Sequence, residues 1–528
     1  MDSFQTIVIL IFLAAILVGF AQKIQMPYPI ALVLGGLALA FLPSSVISLK
    51  VSSFDPNLIL LVVLPPILYY ASFSISFSEF RKNWREIFSL ALGLVVVTTL
   101  IVGVIFKWLF PTCPWSLAFA FGAIVSPPDC VATTAILKRF AISPRLLAVL
   151  EGESLINDAS ALVLYKLAVT ALLSGLFSLQ DAGFEFFKIV SGGVLIGFIF
   201  GLIIQRFSRR FLEAIPGTLF SITIPYITYI LASLCGVSGV LAVVVNGLIG
   251  AKIVAAHRSS LRRVLAFAMW DMFIILINCF VFILIGLQLK GFLAMMSYKE
   301  LALYTAYGFL ITFAMIIIRL IWVYARFGIA YIYARQNPKT CPLCPQILRE
   351  ASLIGWSAMR GIVSLTAALA LPYAFPDGKP IGDRDIVIFI TFVVILLTLI
   401  LPSSTLAYLI RMMKMDHHID HHIAHKARKR LHEVADSKIR HLHEIGKITD
   451  KEFNILAGYF TLQRYIFEIS SSHLKRMSDL EHARLTVFDA QRKELLALWE
   501  SQGIDDKLFR QLEHELDVEE SHIARAEI

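Results

Sequence analysis

Charged residues are scarce in this chain: only 16% of its 528 residues are Asp, Glu, Lys or Arg, whereas 58% are hydrophobic. Soluble globular proteins are about a quarter charged and about half apolar, so the composition excludes a single soluble enzyme. It also excludes a disordered chain, which requires low hydrophobicity and high net charge. Six cysteines in this length are too few for a disulfide scaffold. The class that remains is a polytopic membrane protein with a soluble part.

Several functional signatures are also missing. The apolar segments bring together no pair of histidines with a carboxylate and no Ser/Lys dyad, so a membrane enzyme is disfavoured, and no cofactor is expected. Residues 1–412 carry a net charge of +12 and residues 413–528 a net charge of −3. A basic membrane domain usually reflects cytoplasmic loops that face anionic lipid, so the lipid bilayer, rather than nucleic acid, is the expected partner.

Apolar runs of about 20 residues are long enough to cross a bilayer as helices. Thirteen candidate spans are present, and the first is interpreted as a retained helix because it has no basic region before it and no cleavage site after it. We therefore expect an all-α membrane domain over residues 1–412 and a small helical regulatory tail over residues 413–528. The spans cover residues 4–21, 28–42, 57–72, 87–110, 115–137, 145–173, 187–204, 217–234, 238–253, 264–289, 301–324, 347–371 and 386–412.

Loop charge predicts the orientation of this bundle. One alternating set of loops holds 18 basic residues and the opposite set holds seven. The positive-inside rule places the richer set in the cytoplasm. A multi-pass protein of the plasma membrane is expected, with its N-terminus outside and its tail in the cytoplasm.

The thirteen spans divide as six, one and six, which is the pattern of an inverted repeat. Transporters built on such repeats form their site from interrupted helices at corresponding positions. The fifth span is interrupted at residues 126–129 (SPPD) and its counterpart, the twelfth, at residues 355–361 (GWSAMRG). Two interrupted helices that cross near the middle of the membrane are therefore predicted.

Charged side chains inside a bilayer cost roughly 2.5–3.5 kcal/mol each on insertion scales and mark functional sites. Asp158 is the strongest candidate, because it lies about a dozen residues into the sixth span and shares a helix face with Ser154, beside Asn157. A carboxylate held out of water binds a proton more readily, and these oxygen ligands also suit a small alkali cation. Competition between a proton and a cation at Asp158 is the minimum machinery for exchange; a buried Asp that only pairs with a neighbouring helix is the alternative.

The two interruptions add further candidates. Asp129 follows two prolines, and the carbonyls freed there can face a cavity. Pro128 and Asp129 are therefore candidate ion-binding residues, although Asp129 can instead neutralise the N-terminus of a half-helix. Arg360 is expected to form a structural ion pair with Glu153. Asp271 and Arg319 are interpreted as members of ion pairs inside the bundle.

Residues 151–158 (EGESLIND) resemble the Asn-Asp signature helix of the sodium/proton exchanger branch of the monovalent cation:proton antiporters. Residues 64–68, 236–245, 282–289 and 360–372 are also similar to segments of that family. The resemblance covers residues 5–412. It implies a core domain and a dimerisation domain, a homodimer, and alternating access by an elevator-like motion.

The resemblance also implies residue roles. Asp158 carries the transported cation or proton, Ser154 is a ligand, Asn157 supports the site, and Glu153 and Arg360 match a structural ion pair. The Asn-Asp type is associated with electroneutral exchange. The chain departs from the family at Pro128, where a threonine is usual, and at Tyr70, where a carboxylate is common. These departures leave the preference among Na⁺, K⁺ and Li⁺ open.

The tail begins with a histidine cluster. On a helix, His417, His421 and His425 recur at every fourth residue. That spacing is compatible with a solvated basic helix, with titration near pH 6.5, or with binding of zinc or nickel, and the sequence does not choose among them. Cys341 and Cys344 form a single Cys-x-x-Cys pair, for which no function is expected.

Together these observations predict a secondary antiporter, not an enzyme, that exchanges protons for Na⁺, or for K⁺ or Li⁺, at Asp158. The alternative is a cation channel or uniporter that the C-terminal tail regulates.

Overall fold

The computed structural model describes residues 2–24, 28–41, 56–137, 140, 142–175, 179–211, 214–257, 260–336, 344–375, 377–413, 421–472, 486–487, 490–498, 512 and 516. The chain divides into two compact units, Met1–His417 and His418–Ile528.

The first unit is helical throughout its described part, apart from connecting turns and one isolated bridge between Ala374 and Pro380. Its helices are α1 (Asp2–Lys23), α2 (Tyr28–Ala40), α3 (Pro56–Ser74), α4 (Phe77–Lys82), α5 (Trp84–Phe88), a π-helical segment (Ser89–Leu94), α6 (Val95–Leu109), α7 (Trp115–Val125), α8 (Cys130–Leu137), α9 (Pro144–Ser174), α10 (Leu179–Phe211), α11 (Ala214–Leu234), α12 (Gly239–His257), α13 (Ser260–Met295), α14 (Tyr298–Gln336), α15 (Cys344–Trp356), α16 (Ile362–Leu369) and α17 (Arg384–Met412).

Each predicted span overlaps one of these helices or a consecutive group of them. Seven stretches of the described chain are long and apolar enough to cross a membrane, and five further apolar helices are shorter. The all-α membrane architecture is therefore confirmed, whereas thirteen separate crossings in a six-one-six arrangement remain a prediction. The seven stretches are Trp84–Leu109, Pro144–Ser174, Gly183–Phe207, Pro216–Leu234, Ala266–Leu284, Tyr298–Gly328 and Arg384–Met412.

The fifth and twelfth spans are interrupted as predicted. Helix α7 ends at Val125 and α8 begins at Cys130, because Pro127 and Pro128 supply no backbone N–H for a continuous ladder. Helix α15 ends at Trp356 and α16 begins at Ile362. The intervening segments, residues 126–129 and 357–361, are called the first and second breaks below.

Helix α9, which carries the predicted site, has defined ends. Ser143 is its N-cap and accepts a hydrogen bond from the Leu146 amide at 3.2 Å, and Pro144 occupies the first turn. Gly175 ends the helix with a φ of 69°, in the left-handed region that glycine adopts at low cost. These 31 residues span about 46 Å at 1.5 Å per residue.

The described part of the second unit contains α18 (His421–Glu444) and α19 (Asp450–Ser472), which pack against each other. The His443 ring lies 4.7 Å from the Phe453 ring, and its Nε2 atom lies 2.7 Å from Asp450 Oδ1. Thr449 and Glu452 form a capping box at the start of α19. The backbone N–H of Thr449 donates to the Glu452 carboxylate and lowers its pKa.

Candidate functional site

The two breaks touch each other. The Asp129 amide donates a hydrogen bond to the Met359 carbonyl at 2.7 Å. The Thr133 hydroxyl donates to the Ser357 carbonyl at 2.9 Å. The backbone amide of Asp129 and the carbonyls of Met359 and Ser357 are thus paired across the crossing, as burial requires. The predicted crossing of two broken helices is present in the structure.

Arg360 lies in the second break with only 2% of its surface exposed. Its Nε donates to the Val125 carbonyl at 3.1 Å, and its Nη1 donates to the Ala358 carbonyl at 2.9 Å. Val125 is the last residue of α7, so the guanidinium lies where the helix dipole is negative. The Arg360 amide donates to the Thr398 hydroxyl of α17 at 3.1 Å, which anchors the break.

Asp129 lies at the start of helices, whereas Arg360 lies at the end of one. It immediately precedes α8, and its carboxylate lies against Gly361, the N-cap of α16. A carboxylate is favoured at helix N-termini, and here one carboxylate serves two half-helices of eight residues each. This placement supports the role of Asp129 in neutralising helix N-termini. The Asp129 carboxylate still lies at the candidate ion site.

The functional face of α9 meets the first break. Asn157 is fully buried, and its Nδ2 donates to the Pro128 carbonyl at 3.0 Å. Its Oδ1 is also buried, and no described residue donates to it. The structure therefore brings Asn157, Pro128 and Asp129 together, as the sequence predicts, and leaves an unpaired oxygen among them.

Asp158 is 8% exposed and lies within electrostatic range of Asp129, which is also acidic. No residue in the described part of the chain forms an ion pair or hydrogen bond with its carboxylate. An isolated buried charge is very unfavourable. A proton or a cation at the Asp158 carboxylate would remove this cost.

A small cavity lies along α9 at Leu150, Glu153 and Ser154, on the N-terminal side of Asp158. Its volume is about 10 Å³, room for about one water molecule. Ser154 reaches this cavity one helical turn before Asp158. The lining residues are Pro128, Asp129, Thr133, Leu150, Glu153, Ser154, Arg319 and Ser357.

The predicted ion pair of Glu153 with Arg360 is wrong in its partner. Both oxygens of the buried Glu153 accept hydrogen bonds from Arg319 of α14, and the Nη2–Oε2 distance is 2.8 Å. Arg319 Nε also donates to the Ile354 carbonyl of α15 at 3.0 Å. The Glu153–Arg319 pair therefore connects α9 with α14 and α15. Arg360 instead binds carbonyls at the end of α7 and within the second break. The expectation that Arg319 joins an ion pair inside the bundle is confirmed.

The other predicted residues lie apart from this site or outside the residues that the structure describes. Asp271 accepts a hydrogen bond from the Tyr70 hydroxyl and is exposed. His417 and Cys341 lie outside the described residues; His421 and His425 belong to α18 and Cys344 begins α15, but their side chains are not described. In the described part of the chain, no three His, Cys, Asp or Glu side chains are grouped to hold a metal ion.

One feature near the site has no sequence signal. The π-helical segment Ser89–Leu94 runs beside α9, and the Ser160 hydroxyl donates to the Ala91 carbonyl at 2.6 Å. Single π-helical turns occur frequently at functional sites. This contact holds the π-helical segment against α9 two residues beyond Asp158.

Residues 8–411 match a family described as sodium/hydrogen exchanger, transmembrane. A sodium, potassium, lithium and rubidium/H⁺ antiporter of Bacillus pumilus is 31% identical over 93% of this chain and 74% of its own length. The Escherichia coli protein YjcE, described as an uncharacterized Na⁺/H⁺ exchanger, is 31% identical over 99% of both chains. The solved structure of the sodium proton antiporter MjNhaP1 from Methanocaldococcus jannaschii has the same fold, with a TM-score of 0.60 and 20% identity over 78% of this chain and 98% of that one.

Proposed function

The chain belongs to the sodium/hydrogen exchanger family, and we propose that it is a secondary antiporter that exchanges protons for sodium ions across a membrane, with Asp158 as the residue that binds each in turn. Transport, rather than enzyme chemistry, is the activity of this family. The observation that carries the residue assignment is the burial of Asp158 without a basic partner among the described residues. Because either a proton or Na⁺ neutralises that carboxylate, the two ions compete for it.

The cation's ligands follow from the same geometry. We propose that Asp158 and Ser154 supply side-chain oxygens, and that the unpaired Oδ1 of Asn157 is a third. Asp129 and the backbone around Pro128 complete the polar wall. Hard oxygen ligands suit a small alkali cation. The relative from Bacillus pumilus is named for four alkali cations, so K⁺ and Li⁺ belong in the same test.

Alternating access completes the proposal. An inverted repeat of spans one to six and eight to thirteen places the two breaks at corresponding positions, and their crossing beside Asp158 supports this arrangement. We propose that the crossing helices move as one body, that two chains form a homodimer, and that the protein lies in the plasma membrane with its N-terminus outside. Residues 413–528, which include the second unit, are then a cytoplasmic regulatory tail.

The decisive experiment is exchange in proteoliposomes that contain a pH-sensitive dye. A sodium, potassium or lithium gradient is imposed while the membrane potential is clamped at several values. We expect cation-driven proton movement in the wild-type protein, at a rate independent of potential, and none in Asp158→Asn. Asp377→Asn, a change at an exposed acid paired with Lys379, is the matched control and should exchange normally.

Cation flux without proton counter-flux would instead indicate a channel or uniporter, and full exchange by Asp158→Asn would refute the role of Asp158. If no cation drives proton movement, deletion of residues 414–528 distinguishes inhibition by the tail from a wrong assignment. Activity that appears on deletion supports antiport, and continued silence refutes it.

A further inference from the structure

Asn278 is a polar residue within the apolar helix α13 and is only 1% exposed. Its Nδ2 donates to the Tyr28 hydroxyl of α2 at 3.4 Å. Its Oδ1 is buried, and no described residue donates to it. A buried acceptor without a partner is unfavourable, and native proteins usually satisfy it with a water molecule or an ion.

Two glycines hold Tyr28 and Asn278 together. A Cβ at Gly36 would lie 3.1 Å from Gly286 Cα, and a Cβ at Gly286 would lie 2.6 Å from the Leu37 amide. The backbones of α2 and α13 can therefore touch only because positions 36 and 286 carry no side chain. Tyr28 and Asn278 each precede their glycine by eight residues, about 12 Å along a helix, so the same contact aligns the two polar groups.

This pair lies near the first break. The Tyr28 hydroxyl is close enough to the Asp129 carboxylate to interact with it electrostatically. Tyr28 also packs against the apolar cluster that contains Cys279 of α13 together with Leu150 and Ile156 of α9. Ile156 is two residues from Asp158. The Tyr28–Asn278 pair thus lies on the α2–α13 side of Asp129 and of this part of α9.

We infer that Tyr28 and Asn278 form a second coordination point for the transported cation, at which the Asn278 carboxamide oxygen replaces a water of the ion's shell as it approaches or leaves Asp158. The inference rests on the proposed antiport. Amide carbonyl oxygens are suitable ligands for hard cations. The Tyr28 hydroxyl accepts one hydrogen bond from the Asn278 amide and so fixes the orientation of the carboxamide.

The test is the apparent KM for Na⁺ in the proteoliposome assay at fixed pH. Loss of one oxygen ligand in Asn278→Ala should raise KM about tenfold, a change of about 1.4 kcal/mol, with the maximal rate within about twofold of wild type. Asn278→Asp keeps an oxygen at the same place and should restore a wild-type or lower KM. Tyr28→Phe removes only a hydroxyl and should raise KM about threefold, since the carboxamide then loses its orienting partner.

Asn246 of α12 offers a matched control. It is also fully buried, its Nδ2 donates to the Thr228 hydroxyl at 2.7 Å, and no described residue donates to its Oδ1. Its partner Thr228 belongs to α11, which contributes no residue to the proposed ion site, so Asn246→Ala should leave KM unchanged, even where it lowers the yield of folded protein. An equal rise of KM in Asn246→Ala and Asn278→Ala, or an unchanged KM in Asn278→Ala, would overturn the inference.

The remaining outcomes are also informative. If Asn278→Ala does not fold, Tyr28→Phe decides: a higher KM supports the inference and a wild-type KM overturns it. A fall in maximal rate alone, with KM unchanged, assigns Asn278 to packing and overturns the inference while leaving antiport intact. Absence of exchange in the wild-type protein is the separate failure of the proposed function.

Discussion

Gly361 is the position at which the crossing leaves the least space, and its substitution by alanine tests whether the fit of the two breaks governs transport. A Cβ at Gly361 would lie 2.7 Å from Asp129 Cγ and nearer still to Oδ2. Real Cβ atoms essentially never approach other atoms within 3.0 Å. Asp129 has a short side chain that follows two prolines, so it cannot yield by rotating a distant end. Gly361→Ala must displace the carboxylate or separate the breaks.

The size of the effect follows from that distance. Ordinary contact begins at 3.4 Å, so Asp129 Cγ must move from 2.7 Å by about 0.7 Å. The same shift strains the hydrogen bond from the Asp129 amide to the Met359 carbonyl. Misplacement of a reacting group by 1 Å can reduce rates about 10²-fold. We therefore expect Gly361→Ala to lower the exchange rate at least tenfold while the protein remains folded.

The assay is proton exchange in proteoliposomes, with the unfolding temperature in detergent measured on the same preparation. Gly355→Ala is the control, because its Cβ would meet only the end of the flexible Leu320 side chain, at 2.7 Å, and it should retain most activity. Wild-type exchange by Gly361→Ala would refute the reasoning, and so would an equal loss in both variants.

Two further predictions concern stability. Glu153→Ala leaves Arg319 buried without its partner and should destabilise the protein by about 3–5 kcal/mol, which a lower unfolding temperature would show. Glu79→Ala removes a more exposed pair and should cost less than about 1 kcal/mol. Similar effects of the two substitutions would contradict the buried ion pair of Glu153 with Arg319. Ser160→Ala removes a hydrogen bond to the π-helical segment and should lower the free energy of unfolding by about 1 kcal/mol. Ser191→Ala, which loses only an exposed bond within α10, should leave the unfolding temperature unchanged. Equal unfolding temperatures for the two serine variants would contradict a structural role for Ser160.

The helices and both breaks could be predicted from the sequence because their causes are local. Apolar runs of bilayer length and the scarcity of charge fix the helices. Pro127 and Pro128 interrupt the fifth span for a reason that needs no tertiary structure. Asn157 is assigned to the site from its place beside Asp158 and from the resemblance of residues 151–158 to a family helix, and Pro128 and Asp129 from the prolines of the first break.

The partner of Glu153 could not be predicted in this way. Arg319 and Arg360 are both arginines in apolar segments, and both are 2% exposed in the structure. Which of them faces Glu153 depends on the rotation of α14 and on the crossing of the breaks, and neither is encoded locally. Asn278 does not stand out in the sequence, because a single uncharged residue in an apolar helix gives a weak signal. The π-helical segment gave none.

The charges at this site explain why a single carboxylate can suffice for exchange. Glu153 and Arg319 neutralise each other. Asp129 lies at the positive ends of two half-helices and Arg360 at the negative end of a third. In the proposed mechanism, Asp158 is then neutralised by whichever ion it carries. Loaded with H⁺ or with Na⁺ it has the same net charge, so neither half of the cycle moves charge across the membrane. Each uncompensated charge would instead couple the cycle to the membrane potential by about 2.3 kcal/mol per 100 mV, and the arrangement around Asp158 therefore favours electroneutral, one-for-one exchange.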